Sequence, residues 1–516
     1  MRIGELLAFI FYFVAMLGIG IFFMLKDKAK SQSGYFLGGR KMGAYVTALS
    51  AQASDMSGWL LMGLPGSILA LGFGEVWIAI GLAIGTYLNW LFIAGRLRKF
   101  SQAMNDSITI PQYLNNRFKA SGKVLQVISA IIFLVCFTVY VASGFKAGAQ
   151  LFQSVLKIDS YVLSMTIFGV IMLAYTFMGG FKAVCWTDFF QALLMLGAVV
   201  FVPVFVSLAG VNGSGALDFS VITKADPNYF NFLPGGTLNW ESISTILSGL
   251  AWGLGYCGMP HILVRFMSIK SSGMIKKSRR VATVWVVITL AMAAFIAVVG
   301  RAAVESGVLD LGGENEMVFI KLVQIVFPAF ISGIFLSAIL AAAMSTADSQ
   351  LLVASSAFTS DIYKPILRKN ASEKETLWVG RAVVVVIAIV AFIIAALPGS
   401  GSIMGLVENA WAGFGAAFGP VVILSLYWKK FTYKGAVAGM LAGGLTVVLW
   451  IAFSGFGTGL YELFPGFIVG MAACVIGAKL DKKGVAESEK AYMQAIAFTD
   501  QDEENYNTEA QEMQEA

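Results

Sequence analysis

Charge, histidine and cysteine are all scarce in this sequence. Charged residues make up 13% of the 516 positions, whereas hydrophobic residues make up 58%. A typical soluble domain carries about twice that charged fraction. The mean hydropathy is +0.78. This composition excludes an ordinary soluble protein, and it predicts one integrated bundle of helices in a lipid bilayer.

The few histidines and cysteines limit the chemistry that the chain can perform. His261 is the only histidine, which argues against a histidine metal centre and against a Ser/His catalytic pair. The cysteines, Cys136, Cys185, Cys257 and Cys474, are far apart in sequence, and no two have metal-ligand spacing. We therefore expect no disulfide, no cysteine-bound metal and no enzymatic activity.

Long hydrophobic runs dominate what is present. A membrane-spanning helix needs about 20 residues, and the first run is too long for a signal-peptide core, so it is interpreted as a retained helix. Thirteen runs qualify as spans, and they lie near residues 4–25, 44–71, 75–95, 124–152, 161–179, 188–210, 241–263, 281–300, 329–357, 378–397, 405–428, 434–455 and 458–478.

Basic residues alternate along the loops between these runs. Every odd-numbered loop is basic, and these loops with the tail hold most of the 36 lysines and arginines. By the positive-inside rule, the N-terminus lies outside and the C-terminus lies in the cytoplasm. The net charge of +6 then reflects topology, and nucleic acid is not an expected partner. The tail from about residue 486 is acidic without apolar periodicity, which predicts a disordered extension.

One apolar run is interrupted by polar residues and glycine. Within Ala51–Gly66 the side chains of Asp55 and Ser57 precede Gly58, and a Gly-Pro cluster follows. A carboxylate at the centre of a membrane helix costs about 2.5–3.5 kcal/mol. Freed backbone carbonyls are tolerated there only where they line a cavity or meet a ligand. The stretch predicts a broken helix that binds an ion or solute, and a polar kink packed against other helices is the alternative.

The ninth run carries hydroxyl groups on one helix face. Ala342, Ser345 and Thr346 are spaced i, i+3 and i+4 within Leu336–Ser349. Close helix packing is the alternative use of such residues. Beside a broken helix, two hydroxyls and unwound carbonyls would form an uncharged oxygen cage that suits a hard monovalent cation. Asp188, Asp348 and Ser349 are candidates for a second cation or proton site on the inner exit path. The alternative is that the two aspartates are acids that snorkel near helix ends.

A third irregular stretch is Ser248–Pro260. It contains a Gly-x-Gly-x-x-Gly string, but no strand precedes it, so it does not predict a dinucleotide site, and no organic cofactor is expected. Its glycines are instead expected to loosen this helix or pack it closely. Trp252 and Tyr256 share one face, and Tyr140 is a further aromatic candidate for the solute, although aromatics in membrane helices usually serve packing.

These motifs together resemble the sodium/solute symporter family over almost the whole chain. The similar segments are Phe36–Arg40, Ala53–Trp59, Trp252–Tyr256 with Pro260 and His261, Ala342–Thr346, and Ser349–Val353. The resemblance implies an all-α membrane protein with 13 helices and an inverted-repeat core like that of the bacterial leucine transporter. The expected segments are an N-terminal helix with its loop (1–43), a first repeat (44–210), an outer loop (211–240), a second repeat (241–428), two further helices (429–480) and the disordered tail (481–516).

The resemblance also implies ligands. Na⁺ is expected on the backbone oxygens of Ala53, Met56 and Ala342 and the hydroxyls of Ser345 and Thr346, with Asp55 needed for coupling. L-proline is expected near Ser57, Gly58, Tyr140, Trp252, Tyr256 and Pro260. The implied activity is Na⁺-coupled import across a bacterial cytoplasmic membrane, with no obligate protein partner indicated. Pantothenate, sialic acid, a sugar or iodide are alternative solutes, and an ion channel is the alternative class.

Overall fold

The computed structural model describes residues 2–26, 32–119, 122–177, 180–210, 215–499, 501–503 and 505. These residues form an all-helical bundle, and no β-strand occurs among them. The helices are α1 (Ile3–Lys26), α2 (Gln32–Leu37), α3 (Ala44–Asp55), α4 (Leu64–Leu71), α5 (Val76–Leu88), α6 (Gly95–Ala103), α7 (Ile110–Arg117), α8 (Val124–Leu156), α9 (Tyr161–Thr176), α10 (Phe181–Ala209), α11 (Ser220–Ala225), α12 (Trp240–Gly255), α13 (Pro260–Ser268), α14 (Ile275–Glu305), α15 (Val318–Val326), α16 (Ala329–Ala357), α17 (Glu373–Ala396), α18 (Ile403–Tyr427), α19 (Tyr433–Ala452), α20 (Leu463–Leu480) and α21 (Val485–Ala497).

The long helices have the length and the surface of membrane spans. Within the described ranges, ten helical segments are long and apolar enough to cross a membrane, and Trp59–Leu71 and Tyr161–Thr176 are shorter apolar helices. Large apolar side chains on these helices remain exposed, as Phe11, Val170 and Val448 illustrate. Because such a surface is stable only in lipid, the structure confirms a helical multi-pass membrane protein.

The basic loops collect at one end of the bundle, which we call the basic end. Met42 and Ile269 pair there through their backbones, Arg117 donates to the carbonyl of Ser425 at 2.9 Å, and Lys123 reaches the carbonyl of Pro365. At the opposite end, Arg2 donates to the carbonyl of Gln324 at 2.8 Å. The beginning of the chain and the basic loops therefore lie at opposite ends of the bundle.

The first predicted helix break is present. Helix α3 ends at Asp55, Met56 leaves helical geometry with φ −80° and ψ 81°, and a wide helical turn at Trp59–Gly63 leads into α4. Gly58 lies in the break, where an added Cβ would come within 2.7 Å of the Ala147 Cβ on α8. Only glycine permits this approach, so the break and its contact with α8 depend on the same residue.

A second break separates α12 from α13. Met259 is extended at φ −80° and ψ 106°, and Pro260 opens α13. An added Cβ on Gly253 would lie 2.4 Å from the carbonyl oxygen of Gly81 on α5. The glycines of this stretch therefore pack α12 closely against α5, which is one of the two uses that the sequence predicts for them.

The prediction of disorder across 481–516 is wrong for its first part. Helix α21 (Val485–Ala497) contacts α6 and α7 at the basic end. Glu503 forms a buried ion pair with Arg98 at 3.0 Å and accepts hydrogen bonds from the backbone and side chain of Ser272. Because an unpaired buried arginine is costly, Arg98 gives this acidic segment a docking partner. Residues 506–516 lie outside the described residues.

Candidate ion and solute site

The end of broken helix α3 meets α16 at a cluster of oxygen atoms. The carbonyl oxygen of Ala53 accepts a hydrogen bond from the Ser345 hydroxyl at 2.8 Å and one from Thr346 at 3.4 Å. Ser345 also contacts the carbonyl oxygen of Ala342 at 3.3 Å. Four of the five predicted Na⁺ ligands therefore lie together in the buried interior.

Met56, the fifth predicted ligand, lies at the point where α3 unwinds. Its amide still donates to the carbonyl of Gln52 at 2.9 Å, whereas its own ψ of 81° turns its carbonyl away from the helix axis. The cluster consists of hydroxyl and carbonyl oxygens without a charged side chain. Such a donor set fits a hard monovalent cation, and it lies at the end of a broken helix, as in other transporter ion sites.

Asp55 joins the two helix breaks. Its Oδ2 accepts a hydrogen bond from the Tyr256 hydroxyl at 2.6 Å, and its backbone oxygen accepts one from the Tyr140 hydroxyl at 3.2 Å. Asp55 is fully buried, and its Oδ1 has no partner among the described residues. The carboxylate therefore connects α3 to the turn after α12 and keeps one oxygen for a further donor or a cation.

An aromatic wall lies beside this carboxylate. Trp252 stacks on Tyr461 with ring centres 5.1 Å apart, and the Tyr256 ring meets Trp411 edge-on at 5.0 Å. The Trp411 indole also donates to the carbonyl of Trp252 at 2.8 Å. Sequence reasoning identified Trp252 and Tyr256 but missed Trp411 and Tyr461. The available signal for Trp411 was a tryptophan within an alanine- and glycine-rich stretch.

The remaining predicted solute residues lie around the same breaks. Ser57 is buried, and its hydroxyl makes no well-formed hydrogen bond with any described residue. Gly58 contacts α8, and buried Pro260 begins α13. Helix N-termini carry partial positive charge and C-termini partial negative charge. Because both kinds of terminus meet at the breaks, the site can hold a small zwitterion.

The second predicted cation group is also assembled, and it contains an arginine that sequence reasoning missed. Asp188 Oδ2 accepts from the Ser50 hydroxyl at 2.7 Å and from Arg265 Nη2 at 3.2 Å. The same Nη2 contacts the Ser349 hydroxyl, which lies 3.5 Å from Asp348 Oδ1. One carboxylate oxygen of each aspartate has no partner within the described part of the chain.

The seventh predicted run ends near residue 263, which assigns Arg265 to a basic loop, and the structure corrects this assignment. Arg265 lies on α13 and is fully buried, with its guanidinium 5.2 Å from the centre of the Phe181 ring. A sequence cannot distinguish a loop arginine from one in the last turn of a buried helix. This guanidinium supplies positive charge within the group formed by Asp188, Asp348 and Ser349.

Comparison with known proteins agrees with this geometry. Residues 35–443 match the family described as "Sodium:solute symporter family". The chain is 46% identical over 495 residues to the sodium/proline symporter of Escherichia coli, covering 95% of this chain and 96% of that protein. The high-affinity proline transporter PutP of Bacillus subtilis is 45% identical, with 88% of this chain and 93% of that protein covered. The osmoregulated proline transporter OpuE of Bacillus subtilis is 43% identical, with coverage of 95% and 98%.

Two solved structures share the fold. A Na⁺-coupled sialic acid symporter superposes with a TM-score of 0.74 at 21% identity, covering 92% of this chain and 98% of that one. Mhp1, a nucleobase-cation-symport-1 family transporter, gives a TM-score of 0.52 at 13% identity, with coverage of 89% and 99%. These similarities confirm the all-helical, leucine-transporter-like architecture that the sequence predicts.

Proposed function

The chain belongs to the sodium:solute symporter family, and on that premise we propose that it imports L-proline together with Na⁺. The relatives at 43–46% identity that carry proline in their names support the solute. Na⁺ is the coupling ion, and the chain is a transporter rather than an enzyme. The bacterial relatives support import across a bacterial cytoplasmic membrane, and the distribution of basic loops supports an N-terminus outside.

The observation that carries the proposal is the contact between Ala53 and Ser345. Binding of Na⁺ at Ala53, Met56, Ala342, Ser345 and Thr346 would replace the hydroxyl hydrogen bonds to the Ala53 carbonyl with shared coordination. That exchange fixes the end of α3 against α16. The cage carries no net charge, so each ion moves one positive charge across the membrane.

Coupling to proline follows from Asp55 and Tyr256. An ion that fixes the end of α3 also positions Asp55, whose carboxylate holds the Tyr256 hydroxyl at 2.6 Å. Tyr256 in turn positions the aromatic wall of the solute site. Ordering by one ligand lowers the cost of binding the next, so Na⁺ binds first and raises the affinity for proline. Ser57, Gly58, Tyr140, Trp252, Tyr256 and Pro260 surround the solute.

Thirteen spans in two inverted repeats are the topology that we propose. Helix α3 packs on α14 and α10, and correspondingly α12 packs on α5 and α18. Helix α8 packs on α18, and correspondingly α16 packs on α10. Such reciprocal contacts are expected for repeats at 44–210 and 241–428 that each begin with a broken helix. The segment 1–43 precedes them, 211–240 joins them, and 429–480 follows.

Asp188, Asp348 and Ser349 form a second cation position on the path to the basic end. In the structure the Arg265 guanidinium lies among them, so an arriving Na⁺ competes with it for the same oxygens. Displacement of Arg265 from Asp188 would loosen α13 from α10. This position serves the same ion as it leaves, rather than a second transported ion.

The Na⁺ cage is tested with paired serine variants on one helix. Ser345→Ala and Thr346→Ala each remove one cage oxygen, and Ser337→Ala removes a buried hydroxyl that binds only the Gly333 carbonyl at 2.8 Å. In proteoliposomes, the Na⁺ concentration for half-maximal proline uptake should rise at least tenfold in the first two variants. It should stay unchanged in Ser337→Ala. Unchanged Na⁺ dependence in all three variants contradicts the cage.

The second cation position needs its own comparison. Ser349→Ala removes a hydroxyl that touches both Asp348 and Arg265, whereas Ser356→Ala removes one that binds the Val353 carbonyl on the same helix. Release of ²²Na⁺ to the inner side should slow severalfold in Ser349→Ala only, with external Na⁺ affinity unchanged. Equal release from both variants rejects this position.

A different solute of the same family is the remaining alternative. Competition of Na⁺-driven uptake by pantothenate, sialic acid, sugars and iodide distinguishes it. Inhibition by L-proline alone supports the proposal. Inhibition by another of these solutes, without inhibition by L-proline, keeps the ion site and rejects the solute assignment.

A further inference from the structure

A cavity of about 510 Å³ opens at the basic end beside α21. Its walls come from four parts of the chain, namely residues 91–100, the turn before α14, the end of α18 and the end of α21 with Phe498. None of its described lining residues belongs to the ion and solute site, and nothing in the transport scheme uses the cavity. Its lining has a basic side and an apolar side, so it suits an amphipathic ligand with an anionic group.

One side of the cavity is basic. Arg96 and Lys99 line it, and none of the other lining residues in the described ranges is acidic. Arg96 is held in place because it donates to the carbonyl of Leu426 at 2.7 Å and its guanidinium lies 4.2 Å from the centre of the Tyr427 ring. A fixed guanidinium with a lysine one helical turn away is suited to a phosphate group.

The other side is apolar and continues onto the outer surface of the bundle. Leu91 and Phe92 line the cavity and remain 38% and 51% exposed. Ile496 on α21 also lines it and is 46% exposed. In a membrane protein, this outward surface faces acyl chains. A free phosphate would leave it uncovered, and an acidic peptide would not complement it.

We propose that this cavity binds one anionic phospholipid, with its phosphate on Arg96 and Lys99 and its acyl chains along Leu91 and Phe92. Basic pockets between helices on the cytoplasmic side are known to recognise anionic head groups. Because α21 forms one wall, the lipid also holds the C-terminal helix against the bundle. The inference does not depend on which solute the protein carries.

Lipid retention on the purified full-length protein tests the inference directly. Native mass spectrometry in detergent compares dioleoyl phosphatidylglycerol, dioleoyl phosphatidylcholine and acyl-free glycerol phosphate as probes. Lys99→Gln removes one charge and keeps the Arg96 contacts, and Arg96→Gln with Lys99→Gln removes both. The matched control, Lys482→Gln with Lys483→Gln, removes two exposed charges from the turn before α21.

We expect one tightly retained phosphatidylglycerol per chain in the native protein and in the control. Each charge removed from the cavity should weaken retention about fivefold. Equal retention of phosphatidylcholine, or native retention by Lys99→Gln, overturns the proposal. Displacement of the lipid by glycerol phosphate at similar concentration would identify a free-phosphate site and also overturns it. The double variant loses the Arg96 hydrogen bonds and could misfold. The single variant Lys99→Gln keeps them, so it decides the test even if the double variant does not fold.

Discussion

In the proposed mechanism, Tyr256 is the residue through which the ion and solute sites meet. Its hydroxyl is the hydrogen-bond donor to Asp55 Oδ2, and its ring belongs to the aromatic wall. Replacement by phenylalanine retains the ring and removes the donor. A buried acceptor that loses its partner costs about 1–3 kcal/mol. The effect of removing the Tyr256 hydroxyl on Na⁺-dependent uptake therefore measures the coupling between the ion and solute sites.

We expect Tyr256→Phe to raise the Na⁺ concentration for half-maximal proline uptake about tenfold, which corresponds to about 1.4 kcal/mol. Tyr363→Phe is the control, since its hydroxyl binds Glu375 at 2.6 Å near the basic end. The measurement is initial uptake in proteoliposomes across a Na⁺ series. An identical Na⁺ dependence in the two variants would show that Tyr256 does not couple the sites.

At the scale of single residues, the sequence identified the polar centre better than its surroundings. Asp55 and Ser57 were recognisable because a carboxylate and hydroxyls are costly within an apolar run. Trp411 and Tyr461 were not, because aromatic side chains in spans usually serve packing. Arg265 was assigned to a loop because its position at the end of α13 became visible only when the break at Met259 was located.

Among the elements, the outer loop between α14 and α16 is tied to α18 by one carboxylate. Glu316 accepts hydrogen bonds from the amides of Ile403 and Met404, at 3.2 and 3.1 Å, and Lys146 is a nearby positive charge. Burial raises the pKa of Glu316 above that of an exposed glutamate. Because this pKa is higher in the contact than in water, a bound proton favours the contact.

The contact should therefore be tightest below the ordinary pKa of glutamate and should loosen as the pH rises from there through the raised pKa of Glu316. Amide hydrogen exchange across residues 403–408, corrected for the intrinsic rate at each pH, measures this. Glu316→Gln imitates the protonated state and should remove the pH-dependent step. Exchange that varies with pH equally in the native protein and in this variant would contradict the assignment.

The C-terminal segment is the second element with a testable attachment. Loss of one partner from a buried ion pair costs about 3–5 kcal/mol. Glu503→Gln should therefore release the segment after α21 from Arg98 and increase its cleavage rate in limited proteolysis at least tenfold. Glu487→Gln, on the exposed face of α21, should leave cleavage unchanged. Equal cleavage of both variants would mean that the Arg98 pair does not hold the segment.

Sequence reasoning predicted the first interrupted helix but missed helix α21. The first helix break followed from glycine, proline and polar residues within an apolar run, and it is present. The second stretch was expected only to be loosened or closely packed, and the structure shows that it is also broken at Met259. The docked helix α21 was missed because an acidic, weakly periodic stretch resembles a solvated tail. Its attachment depends on the ion pair of Glu503 with buried Arg98, 405 positions earlier in the chain, which no local pattern reveals.

For the whole molecule, the proposed uncharged cage and the proposed stoichiometry of one Na⁺ fix the electrical work of a transport cycle. A charge that crosses 100 mV gains about 2.3 kcal/mol, which corresponds to about a fiftyfold accumulation. With equal Na⁺ on both sides, a potential of 100 mV, inside negative, should thus concentrate proline by up to about fiftyfold. A limiting ratio that rises as the square of this factor would mean two ions, and the inner aspartates would then hold a second transported Na⁺.

The architecture was the most predictable part of the molecule. Alternating basic loops and apolar runs of regular length define a membrane bundle, and the structure places the basic loops at one end. The positions at which distant helices meet were less predictable. The contact of Ala53 with Ser345 joins residues 292 positions apart, and only the fold, or a resemblance to a family that shares it, brings them together.

Uptake of radiolabelled L-proline into proteoliposomes tests the central claim most directly. The native protein is compared under an inward Na⁺ gradient and under an equal K⁺ gradient. We predict accumulation above equilibrium with Na⁺ only, reduced by excess unlabelled proline. Uptake that is equal in the two gradients, or that stops at equilibrium, would contradict Na⁺-coupled proline transport by this protein.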